Sequence, residues 1–280
     1  MKSKLTAIIQ IIRPINFLIT FLSIAVAGII CTRGDYLWLN ILLAAFAGAL
    51  TGGAGNIIND IFDVAIDRIN RPHRALPAGK LLKSEALGLY IILNTLALVL
   101  SLFINQPAFI IVLITTLLIF LYSYKIKQVP LVGNLLVGMM TGLAFIFGGV
   151  AVSNYNSAII PAVFALLVNF IREIIKDMED VEGDSRNNVI TFPQAYGFRR
   201  TTQVVFILTL ILMLFTLIPF IFRYYKIEYF VLVMPVVNVL FVYFLKLLLT
   251  DKSRQNLSVM SNILKVNMLL GLAAIYLGNK

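Results

Sequence analysis

Residues 56–74 read NIINDIFDVAIDRINRPHR, and residues 173–188 read EIIKDMEDVEGDSRNN. Both carry the spacing Asp-x2-Asp-x3-Asp. Asp60, Asp63 and Asp67 make up the first triplet, and Asp177, Asp180 and Asp184 the second, each 117 positions after its counterpart (60 to 177, 63 to 180, 67 to 184). Positions i, i+3 and i+7 share one face of an α-helix, so each triplet is expected as a stripe of carboxylates. The six aspartates with Glu179 and Glu182 make eight of the 13 acidic residues in a chain that is otherwise basic and apolar. Acids at the C-terminal end of a helix oppose its macrodipole, and these follow long apolar runs. A solvated helix end does not account for them; a chemical task does.

Working outward, the chain is 280 residues long, 60% hydrophobic and 13% charged, with mean hydropathy +0.94. A soluble globular domain is about a quarter charged, so this is read as an integral membrane protein. A net charge of +10 then needs no nucleic-acid partner, because Lys and Arg accumulate on the cytoplasmic side of membrane proteins. The one cysteine, Cys31, excludes an internal disulfide and a multi-cysteine metal site. Lys2 and Lys4 before an apolar run resemble a signal peptide, but Arg13, Pro14 and Asn16 interrupt it, and Ile30 spoils a lipoprotein box at Cys31. The first run is expected to be retained as a span.

Apolar runs of about 20 residues predict nine transmembrane helices. They cover roughly 15–32, 36–58, 86–105, 108–124, 131–152, 157–176, 202–222, 228–249 and 260–278, with polar connectors at 59–85, 177–201 and 250–259. With a cytoplasmic N-terminus, 19 of the 23 Lys and Arg fall on inside segments, and Arg33, Arg223, Lys226 and Lys280 fall outside. That bias predicts a multi-pass cell-membrane protein, N-terminus in and C-terminus out, with both aspartate stretches cytoplasmic. The spans leading into the two stretches are four apart and so parallel. The expectation is one transmembrane domain over 1–280, with a pseudo-repeat of about 15–130 and 131–250 and the ninth helix at 260–278.

Glycines cluster at Gly48, Gly52, Gly53 and Gly55 and again at Gly138, Gly142, Gly148 and Gly149. Close helix packing through small residues is the favoured reading; room for a bulky lipid chain is the other. Tyr122 and Tyr124 close the fourth span as interface aromatics or as walls of a cation-stabilising pocket.

Carboxylates crowded together need a cation. Oxygen ligands without His or Cys suit Mg²⁺ or Ca²⁺, and Mg²⁺ takes one or two carboxylates and completes its shell with water and phosphate oxygens. Two such stripes suggest two or more Mg²⁺ ions on a diphosphate. An EF-hand is excluded by the spacing. Beside the acids stand Arg68, Arg71, His73 and Arg74, then Lys125 and Lys127, then Arg172 and Lys176. Lys80, Lys83, Arg199 and Arg200 read as topological charge. Arg71, Arg74 and Lys176 lie within a turn or two of the carboxylates and read as phosphate ligands, Arg supplying a planar fork. His73 is assigned no role.

Asn59-Asp60-x2-Asp63-x3-Asp67, then Asn70-Arg71-Pro72-x-Arg74 and Leu76-Pro77-x-Gly79, resembles the first signature of the UbiA-type membrane prenyltransferases. Asp177-x2-Asp180-x3-Asp184 is similar to their second, and the nine spans extend the likeness over the whole chain. The resemblance implies an all-helical bundle of nine transmembrane helices around a central cavity, and Mg²⁺-dependent transfer from a prenyl diphosphate donor. Within the superfamily, residues 172–184 (REIIKDMEDVEGD), Tyr122-Ser123-Tyr124-Lys125 with Lys127, and Pro130-Leu131-x-Gly133-Asn134 look most like the branch that geranylgeranylates geranylgeranylglycerol phosphate. Ala75 stands where relatives often carry a second proline.

By this resemblance the six aspartates are the catalytic and metal-binding residues. Asn56, Asn59, Arg71, Arg74, Tyr122, Lys125, Lys127, Asn134, Arg172 and Lys176 would bind diphosphate or phosphate. The product would be an ether lipid, formed from a lipid phosphate acceptor among membrane lipids. An aromatic prenyltransferase of quinone synthesis is the rival of the same class, with less use for Lys125, Lys127 and Lys176. A CDP-alcohol phosphotransferase is set aside, since Val64-Ala65-Ile66 follows Asp63. A transporter of an anionic lipid would carry ionisable groups near the bilayer midplane, and here the acids lie at one end of their spans.

Overall fold

A computed structural model describes residues 2–32, 37–186 and 190–279. The expected start of the second span at residue 36, Arg33 and Lys280 of the charge count, and Asn187 and Asn188 of the second stretch lie outside the described residues. Among the described residues every regular element is helical: α1 (Lys2–Ile12), α2 (Pro14–Cys31), α3 (Trp38–Phe62), α4 (Val64–Asn70), α5 (Lys83–Leu102), α6 (Gln106–Tyr124), α7 (Val132–Ala151), α8 (Ile159–Arg186), α9 (Phe192–Phe215), α10 (Ile218–Ile221), α11 (Ile227–Leu232), α12 (Val239–Thr250) and α13 (Arg254–Gly278). Nine helical stretches among them are long and apolar enough to cross a membrane, as the hydropathy pattern predicts.

The chain forms two compact units. The first holds residues 1–128, 144–158 and 182–189. Its centre is α3, packed by α1, α2, α5 and α6. The sequence explains that position: residues 44–55, AAFAGALTGGAG, are all small apart from Phe46 and Leu50, so neighbouring helices can approach closely. A Cβ added at Gly28 would lie 2.9 Å from the Ile41 side chain and 3.3 Å from the Gly148 carbonyl oxygen. Gly48 and Gly148 are packing surfaces in the same way, since an added Cβ would collide with Ile24 Cδ1 at the first and with the Ile24 carbonyl oxygen at the second. Ala7, Ile11, Ala54, Ile57, Val64, Ala75, Leu76, Leu81 and Leu93 form a core beneath the first aspartate stretch. The chain after α4 folds back on itself over this core. Ala78 donates to the Arg74 carbonyl and Lys80 to that of Ala75, and Gly79 takes the left-handed φ of 67° that closes the turn.

The second unit holds residues 129–143, 159–181 and 190–280. Here α7 meets α8 through Gly138 and Gly142, where a Cβ would lie 2.8 Å from the Leu166 carbonyl oxygen and 2.7 Å from that of Ala162. Asn169 bridges the same helices, donating to Thr141 Oγ1 at 2.7 Å. The span through α11 and α12 contains a π-helical turn, Val233–Asn238. It includes Pro235, which has no N–H to offer the ladder.

Three boundaries differ from the hydropathy reading. The second and sixth spans are parts of longer helices, because α3 runs on to Phe62 and α8 to Arg186, which puts helix into the connectors that begin at 59 and 177. In α8 the apolar run gives way to an amphipathic one: Ile174, Ile175 and Met178 stay buried while polar side chains take the other face. The seventh span is preceded by a short helical turn from Phe192, with Pro193 in its first turn and the Gln194 side chain accepting from Thr191 N at 3.2 Å, and Gly197 (φ 80°, ψ 160°) breaks the helix before the apolar run. And the segment before the first span, given no element by the hydropathy reading, is the separate helix α1. It ends where Pro14 keeps Arg13 out of the α region, at φ 59° and ψ 77°.

Candidate functional site

The first triplet does not lie on one unbroken helix. Asp60 is in the last turn of α3, Asp67 is in α4, and Asp63 stands at the junction with φ −88° and ψ 6°. Helical hydrogen bonds still run through the break, from Asp63 N to the Asn59 carbonyl (2.9 Å) and from Asp67 N to that of Asp63 (2.8 Å), so the carboxylates remain together. All three are buried: 4% exposed for Asp60, 7% for Asp63 and 1% for Asp67. Buried carboxylates are tolerated when paired, and these are. Arg13 Nη2 donates to Asp60 Oδ1 at 2.5 Å. Arg74 Nη1 donates to the same oxygen at 3.2 Å and to Asp67 Oδ2 at 2.7 Å. Lys127 pairs with Asp63, which also accepts from Asn59 Nδ2 at 2.8 Å. Arg71 stands 3.9 Å from Asp67. Burial pushes the Asp67 carboxyl above the usual carboxylate range; Arg74 pulls against this, and the charges of Asp60 and Asp63 add to it.

The end of the second stretch belongs to the same unit. Asp184 is 3% exposed, and a Cβ added at the preceding Gly183 would collide with the carboxamide of Asn70, itself buried. Only glycine lets α8 come this close to the end of α4. The rest of the second stretch lies in the second unit. Asn134 Nδ2, on α7, donates to Asp177 Oδ2 at 2.8 Å. Arg172 and Lys176 both donate to the buried Glu173. Asp177 and Asp180 are half-buried.

Most of the expected site residues therefore fall into two clusters. Asn56 does something more local: its carboxamide donates to the carbonyl of Ile12, the last residue of α1, at 3.1 Å. Lys125 is exposed as the C-cap of α6 and is not among the cations paired with the first triplet. Tyr122 is half-buried, while Tyr124 is exposed and stacked on Phe120. Sequence reading gave no site role to Arg13, Asn70 or Glu173. Arg13 was legible only as a topological charge, since nothing local links residue 13 to residue 60.

The donor set fits Mg²⁺. The first triplet offers only carboxylate oxygens, and His73, the one histidine, is exposed. Among the described residues no three acidic, His or Cys side chains close around one point; the fit rests on donor type, since Mg²⁺ takes one or two carboxylates and fills its shell from water and phosphate.

A family model described as the UbiA prenyltransferase family matches residues 20–269. A digeranylgeranylglyceryl phosphate synthase of Methanocaldococcus jannaschii is 38% identical over 275 residues, 98% of this chain and 96% of that protein. One of Methanosphaera stadtmanae is 33% identical over 270 residues, 96% of this chain and 98% of its own. A solved structure concerned with digeranylgeranylglyceryl phosphate synthase in membranes is 36% identical, with TM-score 0.76 over 100% of this chain and 99% of that one. A UbiA homologue of Archaeoglobus fulgidus bound to GPP and Mg²⁺ has TM-score 0.69 at 18% identity, covering 96% of this chain and 99% of its own, a likeness of fold.

Proposed function

The chain belongs to the UbiA prenyltransferase family, and from that premise we propose that it transfers a geranylgeranyl group from geranylgeranyl diphosphate to the hydroxyl of geranylgeranylglycerol phosphate. The product is an ether lipid. The observation that carries the chemistry is the first cluster: three buried carboxylates interleaved with Arg13, Arg74 and Lys127. Carboxylates suit Mg²⁺, and the guanidinium and ammonium groups suit diphosphate oxygens. The named relatives support the choice of acceptor, and the aromatic alternative has less use for a cationic cluster such as Arg172 and Lys176.

Asp60, Asp63 and Asp67, with Asp177, Asp180 and Asp184 of the second stretch, are the residues that would hold Mg²⁺, two ions by the doubled motif. The chemistry Mg²⁺ supplies when bound is neutralisation of charge on the departing diphosphate. The protein's own part is to bind and to exclude water. Arg74 and Arg13 are poised on Asp60, so each can turn from carboxylate to diphosphate oxygen without a long excursion. Fixed cations in a poorly solvated site stabilise a leaving anion more than water would. Asn59 and Asn134 each fix a carboxylate, Asp63 and Asp177, by a hydrogen bond. The 19 of 23 basic residues on inside segments support a cytoplasmic N-terminus and cytoplasmic aspartate stretches.

The test is a membrane-fraction assay with radiolabelled geranylgeranyl diphosphate, with Mg²⁺ or EDTA, offering geranylgeranylglycerol phosphate and 4-hydroxybenzoate in parallel. A Mg²⁺-dependent diether product is expected. Product from the aromatic alone would refute the lipid acceptor, and no prenylated product from either would refute the transfer reaction.

A further inference from the structure

Glu173 extends the second stripe by one turn. Residues 173, 177, 180 and 184 are spaced by four, three and four, which keeps them on one face of α8. Glu173 is closed over by cations of its own helix. Its Oε1 accepts from Arg172 Nη1 and from Lys176 Nζ, both at 3.0 Å, and its Oε2 accepts from Lys176 Nζ at 2.9 Å. The residue is 7% exposed. Adjacent residues on a helix do not face one another, and like charges four apart repel. Glu173, standing between Arg172 and Lys176 in sequence, brings both to one carboxylate.

We infer that Glu173 is a positioning residue, holding Arg172 and Lys176 as a receiver for the phosphate monoester of the acceptor. This rests on the proposed lipid-phosphate acceptor. Both oxygens of Glu173 are engaged, so the cluster offers N–H donors to a ligand, which recognise phosphate directly. The first triplet has cations of its own in Arg13, Arg74 and Lys127, which matches the diphosphate instead. A purely structural ion triad gives little net stability, whereas a pre-assembled phosphate receiver spares the ordering cost of two long side chains on binding.

The experiment measures kcat and both Michaelis constants for the full-length protein in detergent, with geranylgeranyl diphosphate and geranylgeranylglycerol phosphate. The variants are Glu173→Gln, Glu173→Asp, Lys176→Ala and the double variant Glu173→Gln/Lys176→Ala, each with its melting temperature. Glu173→Gln is expected to raise the acceptor KM about tenfold, the scale of one charge-assisted contact, while the donor KM and kcat stay within about threefold. Glu173→Asp recovers part of the loss. Lys176→Ala costs less in the Glu173→Gln background than alone, because the two act as one unit. If Glu173→Gln fails to fold, Lys176→Gln carries the test, and it too must raise the acceptor KM alone. Equal rises in both KM values with a lower melting temperature would overturn the inference in favour of a structural role. A collapse of kcat at unchanged KM would overturn it in favour of a part in the chemistry, and additive effects would break the coupling. Wild type active on the phosphate acceptor with an unmoved KM in Glu173→Gln refutes this inference alone. Wild type active only on 4-hydroxybenzoate refutes the proposed acceptor and this inference with it.

Discussion

Replacing Arg74 with alanine isolates the energetics of the first cluster. The guanidinium lies 2.7 Å from Asp67 and 3.2 Å from Asp60. Asp60 keeps Arg13 at 2.5 Å, while Asp67, the most buried of the three, keeps Arg71 at 3.9 Å. Stripping the partner from a buried charge costs about 3–5 kcal/mol. The carboxyl has an exit, because it can take up a proton, and at pH 7 an ordinary carboxylate does so for about 4 kcal/mol. Burial already raises the Asp67 pKa, so the exit costs less than that, and the expected deficit at pH 7 is capped below about 4 kcal/mol.

The sign with pH follows from linkage. The folded pKa of Asp67 lies above its unfolded value, so the group favours the folded state below the unfolded pKa, and that contribution is lost as pH rises through the folded one. Arg74 lowers this pKa; without it the gap widens and the loss at neutral pH deepens. At pH 5 protonation costs about 1.5 kcal/mol or less, so the deficit should fall to less than half. The assay is denaturant unfolding in micelles at pH 5 and pH 7, in EDTA, for Arg74→Ala, Asp67→Asn and the pair. The double variant should regain most of the stability at pH 7. A deficit equal at both pH values, or a double variant no better than Arg74→Ala, would refute the reasoning.

Asp60→Asn and Asp180→Asn should each lower turnover at least 100-fold, the scale seen when one group stabilising developing charge is removed, and keep a monodisperse peak in detergent; wild-type rates in either would sink the diphosphate site. Arg13→Ala should raise the donor KM about tenfold and leave the acceptor KM unmoved, as steady-state titration of each substrate would reveal. EDTA should abolish product in the radiolabel assay and added Mg²⁺ restore it, whereas activity in EDTA would exclude the metal. Gly142→Leu should destabilise the protein by more than about 2 kcal/mol, read from denaturant unfolding, because its Cβ would lie 2.7 Å from the Ala162 carbonyl oxygen.

The spans were legible because a bilayer sets both their length and their composition, and each apolar run reports that directly. The ends of α3 and α8 were not. Past residues 58 and 176 the side chains turn polar on one face, and a hydropathy average falls although the helix continues. The break at Asp63 was equally hidden. Asp-x2-Asp-x3-Asp satisfies helical spacing whether or not the backbone leaves the α region at one residue, since the hydrogen bonds on either side survive.

The site divides along the same physical line. Which groups carry the chemistry is a property of residue type, so two aspartate triplets and the arginines after the first could be picked from the chain alone. Which cation meets which carboxylate is a property of tertiary contact. Arg13 reaches Asp60 across 47 positions and Lys127 reaches Asp63 across 64, distances at which sequence carries no register. Glu173 fails for a different reason: it stands beside the aspartates, but Arg172 and Lys176, which donate to it, are on its own helix, one of them its immediate neighbour. Helical spacing treats residues 172 and 173 as facing apart. The Arg172 guanidinium reaches the Glu173 carboxylate all the same, and a carboxylate buried there is tolerated because it is paired.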